Sequence, residues 1–273
     1  MSDRGYSRLR VLDPGSGSLV RDYRFAEPGT EMQSVYVDQE KLYLASRDVL
    51  YVYPSEPVQP PRPEPAAMPD LALSPPAPHD PATLELLPPL TLPVEGSVLP
   101  DMAFRLPGAP RSYRYGVHEG LDFYRAAGAP VTRDTPMLAA ADGKVVRVDV
   151  EYAAPSWDEM EETLAHAREV YHSPADILDV LRGRQVWIDH GDGIVTRYCH
   201  LDSVAEGLTV GQEIRQGQLI GYAGNSGTPA ASDGQDLEVH LHLEIRIGDG
   251  YLGQFLRPIE TKRWLKQAFA ERT

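Results

Sequence analysis

From Pro54 to Pro93 proline recurs densely, as in PVQPPRPEPAAMPD and SPPAPHDP. A proline ring fixes φ and has no N–H to donate, so neither a helix nor a sheet ladder runs through such a stretch. It is expected to run as an extended, semi-rigid connector. The 273-residue chain is thereby divided into a short segment, residues 1–53, a linker, 54–97, and a long segment, 98–273. Hydrophobic residues make up 42% and charged residues 24%. These are ordinary globular proportions, so the long segment can bury a core.

Before the linker, SVYVDQEKLYLASRDVLYVY alternates apolar and polar residues. That pattern predicts two or three strands, with turns at Asp38-Gln39-Glu40 and Ser46-Arg47-Asp48. The segment carries no motif with chemistry and reads as a small β-rich appendage. After the linker the β-type runs are GKVVRVDVEY, RQVWIDH, GIVTRYCHL, QLIGYAG and VHLHLEIRI. Glycine-bearing turns separate them, at Asp142-Gly143, Asp192-Gly193, Val210-Gly211 and Gln216-Gly217, and predict a mainly antiparallel sheet or sandwich.

One interruption, at about 153–184, is helical. Ser156 and Glu159 form an S-x-x-E capping box, followed by Trp157, Met160, Leu164, Ala167 and Tyr171 at helical spacing. A second helix starts at Ser173-Pro174, with proline at its first position, Ile177, Leu178 and Leu181 on its apolar side, and Arg182-Gly183 at its end. The pair reads as a helical hairpin inserted between strands. A C-terminal amphipathic helix, ETKRWLKQAFAER, places Trp264, Leu265 and Phe269 on one side.

The formal net charge of −14 excludes nucleic acid as the main partner, because phosphate binding needs a basic face. It leaves cationic or zwitterionic peptides open. The single cysteine, Cys199, permits no intramolecular disulfide. No run approaches the roughly 20 apolar residues of a membrane span, and MSDRGYSRLR lacks the apolar core of a signal peptide. The oligomeric state is left open.

The histidines carry the functional signal. Strand side chains alternate, so His240, His242 and Glu244 share one face of VHLHLEIRI while Leu241, Leu243 and Ile245 take the other. Two imidazoles and a carboxylate on one face are costly to bury unless something binds or pairs them; the alternative is a solvated edge strand. In His118-Glu119-Gly120-Leu121-Asp122 the two outer residues can reach one ion from a bent strand or a loop. His200, in TRYCHL, lies at a strand end.

These residues sit in pieces that, in chain order, resemble the lysostaphin-type (LytM-like) zinc peptidases: YGVHEGLDF, APVTRDTPMLAAADGKVVRVD, VWIDHGDGIVTRYCHL, LTVGQEIRQGQLIGYAGNSG and VHLHLEI, from Gly116 to about Pro258. The resemblance implies a LytM-like fold of the duplicated-hybrid-motif type. It implies one Zn²⁺ held by His118, Asp122 and His242, with His200 and His240 as the catalytic pair. It further implies an endopeptidase of peptidoglycan or its peptide cross-links, in the cell envelope or secreted. Three protein ligands leave a fourth tetrahedral position for water, whose pKa zinc lowers to about 7. Two imidazoles can take the water's proton, hold the oxyanion and protonate the leaving amine. Which histidine is the base is not assigned by the sequence. Glu244 is a candidate acceptor for the far nitrogen of a histidine ligand, or a salt-bridge partner of Arg246.

Two further readings compete with this one. The first is a catalytically silent LytM-like module that binds peptidoglycan or activates a partner hydrolase; such members lack some of the five residues, all of which are present here. The second is a biotinyl- or lipoyl-type carrier, suggested by AADGKVVRVD and LTVGQEIRQGQLIGYAG. It lacks the lysine at a hairpin tip, since Lys144 enters the strand. Glu119 mimics the helical H-E-x-x-H motif, but Gly120 argues for a turn, so Glu119 is expected to be exposed. His190 is expected to be structural, and His79, His166 and His172 to lie at the surface. Cys199, facing away from His200, is expected to be a buried inert thiol. The insert and the long stretch Asn225–Glu238 are atypical of the family and are placed to flank the cleft.

Overall fold

A computed structural model describes five N-terminal strands, within residues 8–54, and residues 78–269. The chain forms two units, Met1–Ser74 and Pro75–Thr273. The second is mainly antiparallel β, as the strand texture predicts.

Its centre is a seven-stranded sheet. We label its main strands β1 (Leu121–Phe123), β2 (Gly143–Val148), β3 (Val186–Asp189), β4 (Ile194–Cys199) and β5 (Leu241–Ile247). The order runs Glu213–Ile214, β2, β3, β4, β5, Gly250–Tyr251, and β1 also pairs with β5. Strand β4 zips along β5 from Ile194 opposite Ile247 to Cys199 opposite His242. Leu241, Leu243, Ile245 and Ile247 point into the main core with Val145, Ile188, Ile194 and Tyr198. The buried Tyr198 hydroxyl accepts from the Ala140 N–H at 2.7 Å, which meets the need to pair a buried polar group. A three-stranded sheet of Pro136–Leu138, Leu219–Tyr222 and Ser203–Val204 packs beside it.

The insert consists of helices α1 (Trp157–Val170) and α2 (Ala175–Arg182). The Ser156–Glu159 capping box is formed. Pro174 is the N-cap of α2 rather than its first helical residue, so the helix starts one residue later than expected. Met160, Ala167, Ile177 and Leu181 make a small core of their own, so the hairpin buries its apolar faces against itself. Helix α3 (Pro258–Ala268) returns Leu265 and Ala268 to the main core.

The linker reading, residues 54–97, extends too far. Leu87, Leu90 and Val94 are buried in the main core, and the Thr91 N–H donates to the Ala140 carbonyl at 2.8 Å. The prolines of LLPPLTLPV exclude a helix, but the leucines between them supply apolar surface whose burial favours docking.

In the first unit Met32–Val37, Lys41–Ser46 and Leu50–Pro54 form an antiparallel sheet, and Arg8–Leu12 pairs with Leu19–Arg24 in a hairpin the alternation does not announce. The turn residues Asp38-Gln39-Glu40 and Arg47-Asp48 lie outside the described residues, as do linker residues 55–77. Among the described residues no helix is long and apolar enough to cross a membrane.

Candidate metal centre and active site

The peptide bends at His118-Glu119-Gly120 between the short strand Gly116–Val117 and β1, so HExxD is a turn followed by a strand. The bend lies directly on β5. A Cβ on Gly120 would sit 2.4 Å from the Leu243 carbonyl oxygen and 2.9 Å from the His242 ring, so only glycine permits the approach. Asp122 and His242 are direct cross-strand partners, which puts their side chains together on one face.

The three side chains converge. His118 Nε2 lies 2.8 Å from Asp122 Oδ1 and 2.9 Å from His242 Nδ1, and His242 Nδ1 lies 2.9 Å from Asp122 Oδ1. His118, Asp122 and His242 are the set among the described residues whose donor atoms can hold one metal ion. The far nitrogens are committed elsewhere: His118 Nδ1 faces the Leu106 carbonyl at 3.0 Å, and His242 Nε2 faces Glu244 Oε1 at 3.3 Å. When those nitrogens donate, two imidazole lone pairs and a carboxylate oxygen are aimed at one point. That arrangement could hold a cation, and two imidazoles with a carboxylate suit zinc. Asp122 Oδ2 accepts from Arg111 Nη2 at 3.0 Å.

His200 and His240 complete the cluster. His200 follows β4 with a left-handed φ of 63°. Its N–H donates to the Arg182 carbonyl at 2.8 Å and its Nδ1 faces the Ser226 carbonyl at 2.8 Å. The His240 N–H donates to the Gly224 carbonyl at 3.0 Å, and its Nδ1 faces the Glu238 carbonyl. In both rings Nε2 is therefore the nitrogen left for the cleft. The two ring centroids are 4.7 Å apart, and His240 stacks on Tyr124 at 4.3 Å and 8°.

The electrostatics differ from one histidine to the next. Burial lowers the His118 pKa to about 4, against the pull of Asp122. Burial, with His240 and His242 adding to it, holds His200 well below the ordinary value, and burial lowers His240 too, although Asp122 opposes it. Both imidazoles are thus neutral at pH 7 and able to accept a proton. Burial also acts against a charged His242, but Asp122 and Glu244 outweigh it and raise its pKa. Burial likewise disfavours ionised Asp122, yet the neighbouring histidines keep its carboxyl well below the usual range.

The site opens into a cleft of about 730 Å³, with Trp157, Leu164 and Leu178 of the insert and Thr228 and Leu237 of the Asn225–Glu238 stretch among its lining. Both atypical stretches therefore flank the cleft.

The family model described as Peptidase family M23 matches residues 116–254, just over half of the chain. The chain belongs to peptidase family M23. The M23 match includes all five of these residues. Comparison with curated proteins finds no match. Among solved structures, similar chains include the antimicrobial peptidase lysostaphin of Staphylococcus simulans, 19% identical with a TM-score of 0.39, over 67% of this chain and 58% of that one. A zinc-containing peptidase from Vibrio cholerae is 21% identical with a TM-score of 0.32, over 59% of this chain and 39% of that one. Csd3 of Helicobacter pylori is 17% identical with a TM-score of 0.34, over 91% of this chain and 51% of that one.

Glu119 is not exposed, contrary to expectation. It accepts from Arg182 Nη2 at 2.8 Å and Arg246 Nη1 at 2.6 Å, and its side chain is 18% exposed. Glu244 combines both roles open to it: it faces His242 and also pairs with Arg182, Arg197 and Arg246. His190 is held by the Asp142 carbonyl and Thr196, away from the M23 cluster. His166 is exposed, whereas His79 and His172 are half-buried rather than at the surface. Cys199 is a buried free thiol, as expected, but it lies directly opposite His242 and so shares the face of His242 and Glu244, contrary to expectation; burial pushes its pKa up. Sequence reasoning missed Arg111 and Tyr124. Tyr124 was within reach, because alternation along β1 puts it on the face of Asp122; Arg111 carries no local signal.

Proposed function

We propose that the chain is a zinc-dependent endopeptidase that hydrolyses peptide bonds of peptidoglycan, in the cell envelope or secreted. The observation that carries this reading is the meeting of a three-donor metal cluster with two further neutral imidazoles in one cleft. His118, Asp122 and His242 would hold the ion. Zinc, when bound, supplies an activated water and a Lewis acid for the scissile carbonyl. His118 and His242 are oriented by Leu106 and Glu244, and Arg111 fixes the second oxygen of Asp122. His200 and His240 present Nε2 to the cleft, to take a proton from the attacking water and return one to the leaving amine. Tyr124 fixes the His240 ring plane by stacking.

Membership of family M23 supports a peptidase, and retention of all five side chains favours an active one over a silent binding module. The insert supplies one wall of the groove, so substrate choice is set there as well as at the metal.

The test is elemental analysis of the purified chain, combined with digestion of purified peptidoglycan and short peptides. One zinc per chain and new amino termini in the digest are expected. Stoichiometric zinc without cleavage of any cell-wall fragment would instead support the silent module.

A further inference from the structure

Arg182, the last residue of α2, is buried and makes three contacts around the site. Its carbonyl accepts the His200 N–H at 2.8 Å. Its Nε donates to Glu244 Oε1 at 2.6 Å, the same oxygen that faces His242 Nε2. Its Nη2 donates to Glu119 Oε2 at 2.8 Å, and Glu119 directly follows His118. One guanidinium thus grips two carboxylates, each beside a different histidine of the metal cluster. The next residue, Gly183, has a φ of +66°, and a Cβ there would lie 2.2 Å from the Ser226 carbonyl oxygen. That close approach seats the end of the insert on the residue whose carbonyl holds His200 Nδ1.

We propose that Arg182 is a positioning residue of the metal centre, through which the helical insert sets the affinity for zinc. This rests on the zinc reading above. A carboxylate on the far nitrogen of a histidine ligand fixes its tautomer and ring orientation, and such partners are worth about 10–100-fold in metal affinity. A carboxylate can do so only if it is itself held in place. The planar guanidinium fork suits this, because it fixes two acceptors in a set mutual geometry where an ammonium would not. Arg182 therefore ties Glu119 of the His118 bend to Glu244 of β5, alongside Arg246, which also bonds Glu119. Arg197 and Arg246 still neutralise Glu244 when Arg182 is lost, so the metal-free variant is expected to stay folded.

The test is zinc affinity of the full chain, by competition with a chelator, alongside urea unfolding of the metal-free protein. Arg182→Gln is expected to weaken zinc about 10–100-fold while the metal-free protein stays folded. Arg182→Lys keeps the charge but loses the fork, and is expected to recover only part of that loss. Glu119→Gln leaves all three guanidiniums on Glu244 and is expected to weaken zinc several-fold, so it tests the grip even if Arg182→Gln does not fold. Unaltered zinc affinity in Arg182→Lys and Glu119→Gln, or in a folded Arg182→Gln, would overturn the proposal. So would a lowered urea midpoint with unchanged affinity. If the wild-type chain bound no zinc, the zinc reading itself would fall first; wild-type binding with indifferent variants overturns this inference alone.

Discussion

Two buried carboxylates lie side by side on one face of the sheet, and their surroundings are opposite in kind. Asp122 is ringed by imidazoles, with Arg111 on its outer oxygen. Glu244 is ringed by the guanidiniums of Arg182, Arg197 and Arg246, with one imidazole. A guanidinium stays charged at any ordinary pH, so Glu244 carries its own counter-charge and the cluster is complete within the chain. An imidazole deprotonates readily when buried, as His118 shows with a pKa of about 4. Around Asp122 one guanidinium, that of Arg111, takes the outer oxygen, while the inner oxygen meets two imidazoles at a point where His118, Asp122 and His242 could hold a metal ion. Burial thus acts on two carboxylates with different partners, guanidiniums around one and mainly imidazoles around the other.

The largest effect is expected from removing a candidate metal ligand. Asp122→Ala and His242→Ala are expected to lose zinc, measured by elemental analysis, and to lose all measurable turnover. If zinc binds at Asp122, chelation should lower the melting temperature of the wild-type protein, because a ligand of the folded state stabilises it, and leave that of Asp122→Ala unchanged. Equal chelator sensitivity in both would mean that the ion sits elsewhere. Next in size come His200→Ala and His240→Ala, which should retain zinc and lose about 10²–10⁴ in kcat. Loss of zinc in His240→Ala would exchange the roles within His240-Leu241-His242.

The Glu244 cluster should respond in stability rather than in chemistry alone. Glu244→Gln leaves buried guanidiniums without their shared carboxylate and is expected to cost about 3–5 kcal/mol, read from urea unfolding of the metal-free protein. A change below about 1 kcal/mol would show that water reaches these arginines and that the cluster is not closed.

What could be read in advance follows from the range of the interactions. The shared face of His240, His242 and Glu244 was legible because strand period 2 is a local rule. The turn at His118–Asp122 was legible because Gly120 is a local breaker. The in-register family pieces assigned the partners. The burial of Glu119 was not legible, because its cations Arg182 and Arg246 lie 63 and 127 residues away. Arg111 is hidden for a related reason: it reaches Asp122 only through the pairing of Pro110–Arg111 with Gly116–Val117. Leu87, Leu90 and Val94 were masked by the prolines between them, which exclude regular structure but not docking. In each case a local rule gave the conformation and a distant partner decided the environment.

A second carboxylate–guanidinium cluster has the chemistry of the Glu244 cluster without the burial. Arg147, on β2, lies between Asp149 and Asp179 of α2, with Nε to Asp149 Oδ1 at 2.8 Å and Nη2 to Asp179 Oδ2 at 3.1 Å. The Asp179 side chain is 46% exposed, against 1% for Glu244. Solvent screens such a pair, so Asp179→Asn is expected to cost about 0–1 kcal/mol in urea unfolding at pH 7. Partial burial raises the Asp179 pKa, but Arg147 outweighs it, and the carboxyl is held below its ordinary value of 3.8. The sign follows from that depression. The folded state favours the ionised carboxyl, so its contribution is fully present above the unfolded value and is lost as pH falls through the lower folded one. The gap between wild type and Asp179→Asn should therefore be widest near neutral pH and close on acidification below pH 3.8. A gap as large as that of Glu244→Gln would show that the identity of the partners, not burial, sets the magnitude.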